Sequence, residues 1–138
     1  TERATEAGVK LVSKEELFKT SDAISVHIVL SDRTRGIVDA ASLQSMKPTA
    51  YLVNTSRAGL VDLDALKKAL EQGKIGGAGL DVYESEPVSA NDPWRQVPRT
   101  VLTPHLGYAT PENFAVFYKN VVANIAAFAA GAPTRVLT

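Results

Sequence analysis

The sequence predicts an α/β fold built on a parallel sheet, and two observations lead to this prediction. First, four segments are near-continuous apolar runs, a pattern typical of parallel strands that are covered on both faces. These runs are "AISVHIVL" (23–30), "AYLVNT" (50–55), "GAGLDVY" (77–83) and "TVLTPH" (100–105). Second, helical signals lie between the runs, and this alternation indicates βαβ units with helices flanking the sheet.

The remaining elements follow from local signals. "VKLV" (9–12) predicts a weak fifth strand, and Ser13 with Glu16 forms a capping box before a short helix. Asp62 is placed to cap a second helix, which Gly73 is placed to end. Its leucines share one face of the helix: Leu63, Leu66 and Leu70.

The last predicted helix has the clearest boundaries. Thr110 can cap it, Pro111 suits its first turn, and Gly131 and Pro133 close it. Its apolar residues follow the helical period along one stripe: Phe114, Phe117, Val121, Ile125 and Phe128.

The composition excludes several classes of function. Fifteen basic and fifteen acidic residues among 138 give no net charge, so neither nucleic acid nor an anionic membrane surface is an expected partner. The chain has no cysteine, which excludes disulfides and thiol catalysis and fits a reducing cytoplasm. With two histidines and no cysteine, a metal site is not expected. No run approaches the roughly 18 apolar residues of a membrane span.

In open α/β sheets, ligands bind beyond the carboxyl ends of the strands. Three of the predicted strands are followed by polar residues at that end. Arg57 follows the second run, Asp81 lies in the third with Glu86 just past it, and His105 ends the fourth. Taken singly, each has a structural reading: a solvated cation, a turn acid or a hydrogen-bonded structural imidazole. Their conjunction at one edge favours a site. His27, inside the first run, is interpreted as a core or near-cofactor residue and not as a catalyst.

The glycine-rich stretch "GKIGGAGLDV" (73–82) is not a phosphate-binding turn. It leaves a helix and enters a strand, whereas a phosphate turn runs from strand to helix. These glycines are expected to permit a tight helix exit and close packing.

Four motifs together resemble the D-isomer-specific 2-hydroxyacid dehydrogenases, a family that includes phosphoglycerate, glycerate, lactate and formate dehydrogenases. They are "SDAISVHIVLSDRTRG", "MKPTAYLVNTSRAGLVD", "GAGLDVYESEP" and "LTPHLGYAT", spanning residues 21–110. The resemblance implies a partial doubly wound, Rossmann-like sheet. It also implies hydride transfer between NAD (or NADP) and a D-2-hydroxy acid, as a homodimer of the full-length protein.

The resemblance also assigns roles to residues. Arg57 is similar to the arginine that holds the substrate's carboxylate and carbonyl, His105 to the acid/base and Glu86 to its carboxylate partner. The implied cofactor contacts are Thr55, Ser56, Arg57, Asp81, His105, Gly107 and Tyr108. The sequence departs from the family at Ala58, where glycine is common, and at Val29, where proline is common. These departures bear on substrate fit, because neither removes a functional side chain.

The resemblance further implies that residues 1–138 are the C-terminal part of the dinucleotide-binding domain, with the last helix (about 111–130) leading towards a substrate domain. The glycine-rich turn and the residue that selects NAD or NADP are expected upstream, so this piece alone is expected to be inactive. An NAD-sensing corepressor of the same fold is the alternative. A stand-alone flavodoxin-like module is disfavoured by Arg57, Glu86 and His105.

One physical expectation concerns the piece itself. In the doubly wound order, residues 23–30 form a central strand whose neighbour precedes this chain. We therefore expect either self-association along that open edge or poor anchoring of residues 1–20. The alternative is that the missing half stays bound and covers the edge.

Overall fold

The structure is a computed structural model that describes residues 2–137. The chain divides into two compact units, one up to His105 and one from Leu106. The helices described are α1 (Glu2–Glu6), α2 (Lys14–Thr20), α3 (Ala40–Ser45), α4 (Leu63–Glu71) and α5 (Pro111–Ala129). The strands are β1 (Ala23–Val26), β2 (Tyr51–Asn54), β3 (Gly77–Leu80) and β4 (Thr100–Leu102), and short 3₁₀ helices span Ala58–Leu60 and Pro93–Gln96.

The first unit is built on one parallel sheet with the order β1-β2-β3-β4. Ile24, Leu52, Ala78 and Thr100 lie side by side across it. Helix α3 lies between β1 and β2 in the chain, and α4 lies between β2 and β3. The predicted α/β class and parallel sheet are therefore confirmed.

The core lies on one face of this sheet. Alternate strand residues point into it, among them Ile24, Leu52 and Leu80, and they pack with Phe18 of α2 and Leu66 of α4. In the part of the chain that the structure describes, the opposite face is open. Tyr51 is 55% exposed and Val101 is 68% exposed. The apolar runs therefore do not lead to burial on both faces within this chain, contrary to the sequence-based expectation.

Side-chain caps fix the helix starts as predicted. The oxygens of Ser13, Asp62 and Thr110 each accept a hydrogen bond from the backbone N–H three residues on. The predicted capping box forms only in its Ser13 half, because the Glu16 carboxylate accepts from Lys10 Nζ at 2.7 Å instead of from the Ser13 backbone. The sequence analysis predicted neither α1 nor α3. Helix α3 is capped by Asp39, whose carboxylate accepts from the backbone of Ser42.

The predicted strands were too long, and one was wrong. Residues 9–12 lie outside every strand of the described chain, because no segment there pairs with them. The strands at 23–30, 50–55, 77–83 and 100–105 shorten to three or four residues each. Most of the lost residues lie beyond the carboxyl ends, where the chain bends away into loops.

Two glycines confirm the packing interpretation of the glycine-rich stretch. Gly73 has φ +64°, a left-handed conformation that ends α4 at low cost. A Cβ on Gly77 would lie 2.8 Å from the carbonyl oxygen of Arg99 in the neighbouring strand segment. A larger residue at position 77 would therefore push β3 and the segment before β4 apart.

The second unit consists of a short loop and α5. Thr110 caps the helix, Pro111 begins it, and Gly131 follows it with φ +70°, as predicted. Its apolar side chains are exposed, from 38% at Phe114 to 77% at Phe128. No helix among the described residues is long and apolar enough to cross a membrane.

Candidate active site

The residues singled out in the sequence follow the carboxyl ends of β2, β3 and β4. Arg57 comes three residues after β2, and Asp81 comes directly after β3 rather than within it. Glu86 lies in the loop after β3, and His105 lies three residues past β4 rather than at its end. Because the strands are parallel, these loops leave the sheet at the same edge.

A buried asparagine shapes the loop that carries Arg57. Asn54 is fully buried at the end of β2, and its amide donates to the Arg57 carbonyl at 2.9 Å. Its side-chain oxygen accepts from the Ser56 backbone at 3.0 Å. The Ser56 hydroxyl in turn donates to the carbonyl of Ile28 at 3.0 Å, which ties this loop to the one after β1. Arg57 is thus held by its backbone, and its exposed side chain donates from Nη1 to the Ser56 carbonyl at 2.6 Å.

Glu86 and His105 are in direct contact. The Glu86 Oε2 and His105 Nδ1 atoms lie 2.7 Å apart, and Glu86 Oε1 accepts from the Tyr83 backbone N–H at 2.8 Å. These hydrogen bonds, that of His105 first, hold the pKa of Glu86 below its ordinary value. The positive charge of Arg57 makes a smaller contribution in the same direction.

His105 has an unusual backbone conformation. Its φ is +57°, in the left-handed region that residues other than glycine rarely occupy. Such conformations cost about 1–3 kcal/mol and cluster at functional sites. The turn follows Pro104 and carries the imidazole to the carboxylate of Glu86.

Asp81 is a buried carboxylate, 3% exposed, directly after β3. Its Oδ1 accepts from the Thr103 hydroxyl at 2.5 Å, and its backbone N–H donates to the Asn54 carbonyl at 3.0 Å. The hydroxyl of Tyr83 lies 3.0 Å from the carbonyl oxygens of both Leu80 and Thr103. Burial, and secondly the charge of Asp81, raise the pKa of Tyr83.

The other predicted contact residues occupy more varied positions. Thr55 is exposed and Ser56 is half-buried in the loop after β2. Gly107 and Tyr108 belong to the second unit, where the Tyr108 ring packs edge-on against Phe114 at 6.3 Å. His27 is exposed and pairs with the Ser25 hydroxyl at 2.8 Å, so the core interpretation of His27 was wrong.

Three residues of this edge were missed in the sequence: Asn54, Tyr83 and Thr103. A polar residue that ends an apolar run was a usable signal for Asn54 and Thr103, because a buried polar group needs partners. Ala58, where the family commonly has glycine, is buried within its 3₁₀ helix. Val29 is 81% exposed in the loop after β1.

Comparisons with known proteins identify the family. Residues 1–107 match the model of the D-isomer specific 2-hydroxyacid dehydrogenase NAD binding domain. The chain is 44% identical to the glyoxylate reductase of Thermococcus litoralis over 130 residues, which are 94% of this chain and 39% of that protein. It is 37% identical to the D-3-phosphoglycerate dehydrogenase of Archaeoglobus fulgidus over 97% of this chain and 25% of that protein.

The fold agrees with a solved oxidoreductase from Ralstonia solanacearum with a TM-score of 0.91 and 39% identity. The match covers 98% of this chain and 40% of that one. The chain thus spans well under half the length of the relatives that it matches. On the family match and these likenesses, the chain belongs to the D-isomer-specific 2-hydroxyacid dehydrogenases, and its residues 1–107 match the model of their NAD-binding domain.

Proposed function

We propose that the protein carrying this chain transfers a hydride between a nicotinamide cofactor and a small D-2-hydroxy or 2-oxo acid. Substrates of the glyoxylate, glycerate or phosphoglycerate type are the proposed class, since the relatives carry those names. The observation that carries the proposal is the 2.7 Å contact between Glu86 and His105. The charge of Arg57 acts on the same carboxylate. The proposal includes NAD as the cofactor and a homodimer of the full-length protein.

The residues present fit one end of such a cofactor. In α/β sheets, nucleotides bind beyond the carboxyl ends of the strands. At this position the chain has the hydroxyls of Thr55 and Ser56 after β2 and the buried carboxylate of Asp81 after β3. They can bind the nicotinamide and ribose groups, and Gly107 and Tyr108 are proposed to join them. No strand of the described chain is followed by a glycine-rich phosphate turn, so the pyrophosphate needs groups from elsewhere. When bound, the nicotinamide supplies the hydride.

The side chains of this chain supply binding and the proton. The Arg57 guanidinium offers two parallel donors to a substrate carboxylate, a geometry that lysine lacks. His105 donates a proton to the carbonyl oxygen as it becomes an alkoxide, acting as a general acid. With Nδ1 facing Glu86, Nε2 is the nitrogen assigned to that transfer. The Glu86 carboxylate accepts the contact with Nδ1 and so orients the ring.

A chimera tests this proposal with the chain as it is. In the chimera, residues 1–138 replace the matching segment of the Thermococcus litoralis glyoxylate reductase. We expect it to oxidise NADH or NADPH when given glyoxylate or another 2-oxo acid, whereas the isolated chain should be inactive. A folded chimera that binds the dinucleotide but reduces no 2-oxo acid would instead support an NAD-sensing corepressor-like scaffold.

A further inference from the structure

Tyr83 contacts both segments that carry the Glu86–His105 pair. Its backbone N–H donates to Glu86 Oε1 at 2.8 Å. Its hydroxyl lies 3.0 Å from the carbonyl of Leu80, at the end of β3, and 3.0 Å from that of Thr103, two residues before His105. One side chain therefore links the segment of the carboxylate to the segment of the imidazole.

This link lies where the sheet stops holding the two segments together. The pairing of β3 with β4 ends at Leu80 and Leu102, followed by a last bond from Thr103 N to Leu80 O at 3.0 Å. Beyond it, one segment runs on to Glu86 and the other to His105. The Tyr83 hydroxyl spans the two segments at the point of divergence, next to the bond between Thr103 and Asp81.

The environment keeps this hydroxyl in its donor form. Tyr83 is half-buried and its ring packs against the core. Burial and the nearby Asp81 carboxylate both disfavour the phenolate and raise the pKa of Tyr83. The hydroxyl therefore keeps its proton, which it shares between the two carbonyl oxygens.

We propose that Tyr83 is a positioning residue, whose hydroxyl sets the separation at which Glu86 meets His105. The inference rests on the proposed function, in which this pair delivers the proton. It assigns Tyr83 no contact with substrate or cofactor.

Nuclear magnetic resonance of the labelled 138-residue chain, at a concentration where light scattering shows a monomer, tests the inference directly. The chain has two histidines, so the ring nitrogens of His105 can be assigned beside those of His27. We expect the neutral His105 ring to carry its proton on Nδ1, facing Glu86. In Tyr83→Phe we expect part of this population to move to the Nε2–H tautomer. Tyr51→Phe removes a hydroxyl from the open sheet face and is the matched control, with no expected change.

A second variant covers the case in which Tyr83→Phe does not fold. Trifluorotyrosine at position 83 keeps the aromatic ring but has a more acidic hydroxyl than tyrosine. Its O–H group donates a hydrogen bond at low pH and is lost by ionisation at mildly alkaline pH. Its His105 signals should then shift as in Tyr83→Phe. Unchanged His105 nitrogen shifts in either folded variant would overturn the inference.

Kinetics separate this inference from the proposed function. In the chimera, Tyr83→Phe should lower kcat by about five-fold, the size of one lost hydrogen bond, with KM unchanged. If the tautomer shifts but the unmodified chimera reduces no 2-oxo acid, the proposed function fails and the positioning role stands. If the chimera is active but Tyr83→Phe changes neither the tautomer nor kcat, the positioning role fails alone.

Discussion

At the scale of single residues, the site depends on side chains that sequence spacing places only approximately. Glu86 and His105 are 19 positions apart, yet their side chains meet at 2.7 Å. Two local features bring this about: the left-handed φ of His105 and the backbone N–H of Tyr83 on the second carboxylate oxygen. A carboxylate held by two donors favours its ionised form, and this makes the pair sensitive to pH.

The pH dependence of stability follows from the lowered pKa of Glu86. A group whose pKa is lower in the folded chain stabilises that chain above its ordinary pKa, and the contribution is lost as pH falls from about 4.5. Glu86→Gln should therefore flatten the acid side of the unfolding free energy profile, measured with urea between neutral pH and pH ~3. Glu84→Gln, an exposed neighbour, is the control. Identical slopes for wild type and Glu86→Gln would contradict the pairing.

The proposed role of Arg57 predicts that its shape matters as well as its charge. Arg57→Lys keeps the charge but loses the two-donor fork, so kcat/KM of the chimera for 2-oxo acids should fall by about ten-fold to a hundred-fold. The matched control is Arg33→Lys, which changes an exposed arginine in the loop after β1. Equal kcat/KM for Arg57→Lys and the unmodified chimera would remove Arg57 from the substrate site.

At the scale of elements, short helices depend on their caps. The six-residue helix α3 begins at Asp39, whose carboxylate accepts from the Ser42 backbone and hydroxyl and pairs with Lys14 of α2 at 2.8 Å. The hydrogen bond from Lys14, followed by that from the Ser42 backbone, places the pKa of Asp39 far below its ordinary value. One carboxylate thus starts α3 and connects it to α2.

Removing this cap should be measurable in the isolated chain. Asp39→Ala should lower the free energy of unfolding by about 1 kcal/mol at neutral pH, the usual cost of a lost N-cap. The difference should shrink in acid, because a group with a lowered pKa loses its contribution as pH falls. Urea unfolding measures both effects, and Asp32→Ala in an exposed loop is the control. A loss that stayed constant down to pH ~2 would show that the ionised carboxylate is not the cause.

The elements also show what the sequence could predict. The apolar runs predicted the positions of all four strands, and the cap residues predicted α2, α4 and α5. Both predictions succeed because these signals depend on residues that are neighbours in the sequence. The strand ends were misplaced, since residues such as Val82 stay apolar in loops that bend towards the site. The strand at 9–12 was wrong, because pairing depends on a partner and not on composition alone. The Tyr83 link and the φ of His105 arise from tertiary packing, so no local pattern marked them.

At the scale of the whole molecule, β1 has an open edge. It pairs with β2 alone within the described residues, and its other backbone edge has no strand partner there. Residues 23–30 contain no lysine, arginine, aspartate, glutamate or proline that would block pairing with another chain. The expected poor anchoring of residues 1–20 is not seen for α2, because Phe18 is buried in the core. Association between copies and an edge covered by the rest of the protein stay as predictions.

The isolated chain should therefore self-associate through β1 as its concentration rises. Light scattering at several concentrations, with mass spectrometry of the same sample, should show masses above 14.7 kDa. Ser25→Lys adds a charge to the exposed side of β1 and should reduce association. A stable monomer whose residues 23–30 are protected from hydrogen exchange would show that the edge is already covered.

The central claim is that His105, paired with Glu86, delivers the proton in a hydride-transfer reaction. The most direct measurement is the turnover of His105→Ala in the chimera with saturating cofactor and 2-oxo acid at neutral pH. We predict that kcat falls by about 10²–10⁴-fold, the contribution of general acid catalysis, while the variant still binds the dinucleotide. A folded His105→Ala chimera that kept the full kcat across neutral pH would contradict the claim.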